Sequence, residues 1–175
     1  AARTRPVGDD AAGLTVRRGI DRRRDGSYRV RLPSEERDIL AALPSQLREA
    51  LDAGEPTLYR LFPPAFVDDD ESNVEYARLV GAGLLEGKLA ALHELERTAH
   101  AESLTEAELR TWLGGIESLR LVLGTQLDVT EESYGPLDRD DPDAPRLALY
   151  HWLSWLQEEV VHALSETLER GGSAD

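Results

Sequence analysis

Leu104-Thr105-Glu106-Ala107-Glu108-Leu109-Arg110-Thr111-Trp112-Leu113-Gly114-Gly115-Ile116 (residues 104–116) is the stretch on which the fold turns. Thr105 followed three residues later by Glu108 is a capping box: the hydroxyl accepts a free amide of the first turn and the carboxylate accepts the cap's own amide. Leu104 and Leu109 bracket the box as a hydrophobic staple. Beyond it Trp112, Leu113, Ile116, Leu119, Leu123 and Leu127 recur at helical spacing, and Gly114-Gly115 predicts a place where a second helix approaches closely.

Working outward, residues 128–143 hold Asp128, Glu131, Glu132, Asp138, Asp140, Asp141 and Asp143 with Gly135, Pro136 and Pro142, which reads as an acidic loop. Pro145 then opens a last helix with Leu149, Trp152, Leu153, Leu156, Val160, Leu164 and Leu168 on its core face, ended by Gly171-Gly172. On the other side, Ser72-x-x-Glu75 predicts another capping box, followed by Leu79, Leu84, Leu85, Leu89, Leu92 and Leu95. Gly81, Gly83 and Gly87 weaken that helix unless tertiary contact compensates, for example by close approach of another helix. The connector Leu58-Tyr59-Arg60-Leu61-Phe62-Pro63-Pro64-Ala65-Phe66 is expected to plug the bundle's end.

Ser34 before Glu35-Glu36 caps a further helix, with Ile39, Leu40, Leu43, Leu47 and Leu51 as its stripe. Pro44 is expected to kink or split it, because it lacks an N–H and crowds the Leu40 carbonyl. Ahead of that, Leu14 and Val16, then Tyr28, Val30 and Leu32, alternate with polar residues around Asp25-Gly26, the pattern of a β-hairpin. The fold class is therefore mainly α: a bundle of four to five helices with a small N-terminal β-hairpin. Residues 1–13 are expected to be disordered, 14–170 to form a single domain (hairpin 14–32, helical bundle 34–170) and 171–175 to be a tail.

Charge divides at the same boundary. Residues 1–32 carry nine Arg and four Asp, 9 − 4 = +5; the other 143 carry 11 basic and 30 acidic side chains, 11 − 30 = −19. The acidic bulk repels phosphate and anionic lipid, so any nucleic-acid contact falls to the Arg-rich start. No apolar run approaches the roughly 20 residues that span a bilayer, and no signal-peptide centre occurs in the first 30, so a cytoplasmic location is expected. The sequence contains no Met, and a chain that starts at Ala1 is expected to be a processed or trimmed product. It contains no Cys, which removes disulfides, thiolate catalysis and thiol switching from these 175 residues.

The residue types present limit the chemistry open to any site. His93 and His100, and His151 and His162, are spaced to share helix faces, but no His-Glu-x-x-His or Glu-x-x-His pair occurs. The Asp-rich segment 138–143 lacks the alternation and central Gly of a calcium loop. There is no Gly-x-Ser-x-Gly turn and no phosphate-cradling glycine pattern. The expectation is thus no catalytic residues, no metal and no cofactor, with an enzyme or a metal- or small-ligand-binding helical protein as the alternative. The cluster Arg17, Arg18, Arg22, Arg23, Arg24, Arg29 and Arg31 is the candidate partner-binding set, able to pair with carboxylates or phosphates. A plain reading has it neutralise the chain's own acidic helices. With Tyr28 as the lone aromatic among these arginines, single-strand stacking is disfavoured; direct DNA contact is the less favoured variant, and a homodimer stays open.

Several ordered blocks carry a resemblance: Ser27-Tyr28-Arg29-Val30-Arg31-Leu32 into Pro33-Ser34-Glu35-Glu36, Leu43-Pro44-Ser45-Gln46-Leu47, Leu61-Phe62-Pro63-Pro64-Ala65, Leu119-Arg120-Leu121-Val122-Leu123-Gly124-Thr125 to Thr130, and Tyr150-His151-Trp152-Leu153-Ser154-Trp155-Leu156-Gln157. Together, over residues 14–165, they resemble the actinobacterial domain-of-unknown-function family 2017. The resemblance implies a regulator: one mycobacterial member is a transcription regulator of oxidative stress, acting through an intramolecular disulfide and a stress sigma factor. It also implies a neighbourhood with the adaptor of the Clp protease, and so the further alternative of an accessory factor for Clp proteolysis. Lacking cysteine, this sequence departs from the disulfide mechanism. What remains is a non-enzymatic regulator acting by protein contact, with a sigma factor or RNA polymerase as the implied partner.

Overall fold

A computed structural model describes residues 18–53, 61, 70–130 and 140–171. The capping box forms as its residue types require. Thr105 is extended (φ −73°, ψ 165°), its Oγ1 accepts the Glu108 amide at 3.2 Å, and the Glu108 carboxylate accepts the Thr105 amide at 2.8 Å. Leu104 and Leu109 are buried on either side of the cap. The helix it starts, Glu106–Gln126, is numbered α3 after α1 (Ser34–Ala53) and α2 (Asp70–Thr98); α4 spans Ala144–Gly171.

The helices pack as neighbours in chain order, α1 on α2, α2 on α3 and α3 on α4. Glycine sets two of the crossings. A Cβ on Gly115 would lie 3.2 Å from the Ala91 carbonyl oxygen and 3.1 Å from Leu95, so α2 and α3 meet nearly backbone to backbone, as Gly114-Gly115 predicts. At Gly124 a Cβ would come within 2.9 Å of the Tyr150 ring on α4. Trp112, fully buried, donates its indole N–H to Thr98 Oγ1 at 2.7 Å, and the Thr98 hydroxyl donates to the Glu94 carbonyl at 2.6 Å. Leu40, Leu47, Leu61, Leu92, Leu95, Ile116, Leu153, Leu156 and Val160 complete one core.

A three-stranded antiparallel sheet closes one end in the order β1 (Gly19–Arg22), β2 (Tyr28–Arg31), β3 (Ser103–Leu104). Ile20 faces Val30, Arg22 faces Tyr28 and Tyr28 faces Leu104. Ile20, Tyr28, Val30 and Leu104 are buried, while Asp21, Arg29 and Arg31 belong to the opposite, outward side. The hairpin is thus as expected, but its first strand meets Val30 with Ile20; Leu14 and Val16 lie outside the described residues. The third strand is an addition, formed because the α2–α3 connection runs beside β2, where the Val30 amide also donates to the Glu102 carbonyl at 3.0 Å.

Other expectations need correction. Of the two outcomes expected at Pro44, a kink or a split, the split does not occur: α1 is continuous across it with the proline ring buried. Ile39 is exposed because Leu40, Leu43, Pro44, Leu47 and Leu51 define the buried face, about 100° away at one residue's rotation. Asp70 and Glu71 already belong to α2, so Ser72 lies inside the helix and not at its cap. Leu84 and Leu85 are exposed, and nothing among the described residues lies within 4 Å of a Cβ built on Gly81, Gly83 or Gly87. The expected disorder of 1–13, most of the aromatic connector, the middle of the acidic loop and the 172–175 tail fall outside the described residues.

Candidate partner-binding surface

The root of the hairpin is held by groups far away in sequence. Gly19 has φ +149°, a backbone conformation that favours glycine, and a Cβ there would lie 2.7 Å from Glu159 Oε2. The same carboxylate oxygen accepts the Ile20 amide at 3.4 Å, so α4 covers part of the β1 edge. Next to it the Arg18 guanidinium lies 4.7 Å from the Trp155 ring centroid and pairs with Glu36 Oε1 at 2.9 Å. Nothing in the sequence marks Glu36, Trp155 or Glu159 for this contact; each is an unremarkable member of a helical pattern until the hairpin is docked on it.

This docking divides the arginine set. Arg17 lies outside the described residues. Arg18 is spent on Trp155 and Glu36, and Arg31 pairs with Asp21 at 2.6 Å on the outer sheet face. Arg22 ends β1 on the inward side, opposite Tyr28, with its Nε shielded from solvent. Arg23 and Arg24 at the tip and Arg29 on the outer face are exposed, and among the described residues none of the three forms an ion pair.

The tip itself is ordered. The Arg23 amide donates to the Ser27 carbonyl at 2.7 Å and the Gly26 amide to the Arg23 carbonyl at 3.2 Å, with Gly26 at φ +85°. Asp25 accepts from the Ser27 amide at 2.9 Å and the Ser27 hydroxyl at 2.7 Å. Hydrogen bonding from the Ser27 hydroxyl, then from its amide, holds the Asp25 carboxyl below its ordinary value. The surface is therefore a rigid cationic tip on a molecule whose remaining charge is strongly negative, suited to carboxylate or phosphate groups.

The histidines do not converge. His100 faces Asp38 at 3.6 Å, His162 faces Glu166 at 3.6 Å within one turn of α4, His151 contacts the Tyr150 ring, and His93 is exposed on α2. Among the described residues no group of three or more potential ligands could hold a metal ion. No described helix is long and apolar enough to cross a membrane. A cavity of about 300 Å³ is lined by residues of α1, α3 and α4, among them Leu43, Leu47, Leu119, Val122, Leu149 and Leu153. Arg146 stands at its edge, bonded to Gln126 at 2.8 Å.

Fold and surface together define a helical bundle that presents a basic hairpin. The chain belongs to the family described as Domain of unknown function (DUF2017), which matches residues 17–164. It is 28% identical over 152 residues to the putative oxidative stress regulator AosR of Mycobacterium leprae, covering 77% of this chain and 69% of that protein. To the oxidative stress regulator AosR of Mycobacterium tuberculosis it is 28% identical over 149 residues, covering 75% and 67% respectively. These names support a regulatory role. No solved structure matches the chain.

Proposed function

We propose that this protein is a non-enzymatic, cytoplasmic regulator that works by binding another protein, a sigma factor or RNA polymerase, through the hairpin tip. The observation that carries the reading is the division of the arginines: Arg18 and Arg31 are consumed by internal pairs, whereas Arg23, Arg24 and Arg29 face solvent without one among the described residues. Two guanidinium groups on an ordered turn, with a third on the adjoining strand β2, form a preorganised site for acidic side chains, since little backbone freedom remains to be lost on binding. The relatives named as oxidative stress regulators point the same way.

The test is the triple reversal Arg23→Glu, Arg24→Glu, Arg29→Glu, with affinity for purified RNA polymerase core and for a purified stress sigma factor measured calorimetrically. Affinity should fall at least about tenfold with an unchanged circular dichroism spectrum. Undiminished binding of either would remove the hairpin from the interface. Duplex DNA serves as the control: affinity that drops steeply with salt and disappears in the triple variant would favour direct nucleic-acid contact instead. The leucine-lined cavity supports a second reading, a small apolar ligand, for which a thermal-shift screen with fatty acids and flat aromatics is decisive.

A further inference from the structure

The cavity lined by α1, α3 and α4 changes character from one end to the other. The bonds Gln126–Arg146, at 2.8 Å, and Arg120–Gln157, at 2.9 Å, set α3 and α4 antiparallel. Leu119 and Leu153 therefore lie on the same side of the Gln126–Arg146 pair and at equal separations, 126 − 119 = 7 and 153 − 146 = 7 residues, or about 10 Å along each helix. At the inner end Leu119 and Leu153 are buried, with Leu47 beside them on α1; at the outer end Gln126 and Arg146 are exposed. A volume of about 300 Å³ would hold roughly ten waters. Leucine walls give those waters no hydrogen bonds, so an apolar chain that displaces them gains free energy.

The mouth specifies the charge of the ligand. The chain carries 34 acidic side chains, yet no carboxylate is among the described residues that line the cavity, and the one charged group there is Arg146. Its guanidinium has five N–H donors. Nη2 donates to Gln126 Oε1, which orients the group at the mouth, and Nη1 reaches Asp143 Oδ1 at 3.3 Å. That second contact joins two exposed side chains within one turn of α4 and contributes little. A carboxylate at the mouth can take its place with two parallel hydrogen bonds, the geometry that arginine favours.

We propose that this cavity binds a medium-chain fatty carboxylate, its acyl chain running inward to Leu119 and Leu153 and its head group on Arg146. The proposal rests on the reading of the cavity as a small-ligand site and adds to it the anionic head and the direction of the chain. An apolar pocket with a single convergent charge suits an amphiphile with one charged end.

Calorimetric titration of the full chain with decanoate, kept below the concentration at which it forms micelles, tests this, with decan-1-ol as the neutral probe. Decanoate should bind at one site per chain, and Arg146→Gln should weaken it about tenfold while leaving decan-1-ol unchanged. Arg146 is exposed, so this variant keeps the fold. Octanoate, shorter by two methylenes, should bind about tenfold more weakly than decanoate. Leu149→Trp, which fills the cavity from a half-buried position, should abolish binding of acid and alcohol alike with unchanged circular dichroism. Equal affinity for the two probes, with Arg146→Gln affecting neither, would overturn the anionic head and leave a neutral apolar ligand in the same cavity. No binding of either would overturn both readings of the cavity. Decanoate binding that survives Leu149→Trp would place the ligand elsewhere and also overturn the proposal.

Discussion

Arg37 donates to four backbone carbonyls: Nε to Leu32 at 3.1 Å, Nη1 to Ala99 at 3.0 Å and to Ala101 at 2.7 Å, and Nη2 to Val30 at 2.8 Å. One planar fork thereby ties the end of β2, the start of α1 and the turn after α2, satisfying carbonyls that no helix or ladder reaches. Arg37→Ala should cost about 2–4 kcal/mol in urea unfolding, and Arg37→Lys should recover only part of it, since an ammonium lacks the fork. No periodicity could have revealed this, because in sequence Arg37 is one more charged residue in a capped first turn. Gly19 is similar: its neighbours suggest a strand, and its φ of +149°, with the Glu159 carboxylate alongside, explains the missing side chain. Gly19→Ala should destabilise by about 1–3 kcal/mol. Adding Glu159→Ala should return less than the whole loss, because removing the carboxylate relieves the clash but leaves φ at +149°.

Between α2 and α3, cap and ion pairs work as a unit. Arg97 donates to both Glu94 oxygens, at 2.9 and 2.6 Å, and to Glu108 at 3.0 Å, while Glu108 also closes the capping box on Thr105. Thr105→Ala should lower stability by about 1 kcal/mol. The Thr105 amide, then its hydroxyl and Arg97, keep the Glu108 carboxyl below its ordinary value of 4.5. A depressed carboxyl stabilises the fold above its unfolded value, and that contribution is lost as pH falls through the folded one. Urea midpoints of wild type and Glu108→Gln should therefore differ most near neutrality and converge below about pH 4.5. The cap was readable because it is local: three residues specify it. By contrast, β3 is two residues long and exists only through pairing with β2, so no alternation could announce it. The even spacing of the α2 leucines likewise does not separate Leu92 and Leu95, which are buried, from Leu84 and Leu85, which are exposed. Helical spacing identifies an apolar face but not whether a neighbour is long enough to cover it.

At the scale of the molecule, charge and chemistry separate where the protein binds from how it can be controlled. The arginine cluster was legible as a cluster; which members face solvent was not, since that depends on Glu36, Trp155 and Glu159 arriving from α1 and α4. The residues left open, Arg23, Arg24 and Arg29, make the proposed partner contact electrostatic. Its affinity should fall as salt rises from about 50 to 300 mM, and the triple reversal should flatten that dependence. Control by oxidation is a different matter. These 175 residues contain neither Cys nor Met, so the side chains that oxidants convert most readily are absent. Treating the chain alone with diamide, removing the reagent and then adding an untreated partner should leave the affinity unchanged in calorimetry. Treating the partner instead places any redox response where thiols exist. A shift in the first experiment would mean that the oxidant acts through chemistry other than thiol exchange, and intact mass would reveal it. No shift in either would leave occupancy of the hairpin to be set by concentration, salt and competing partners.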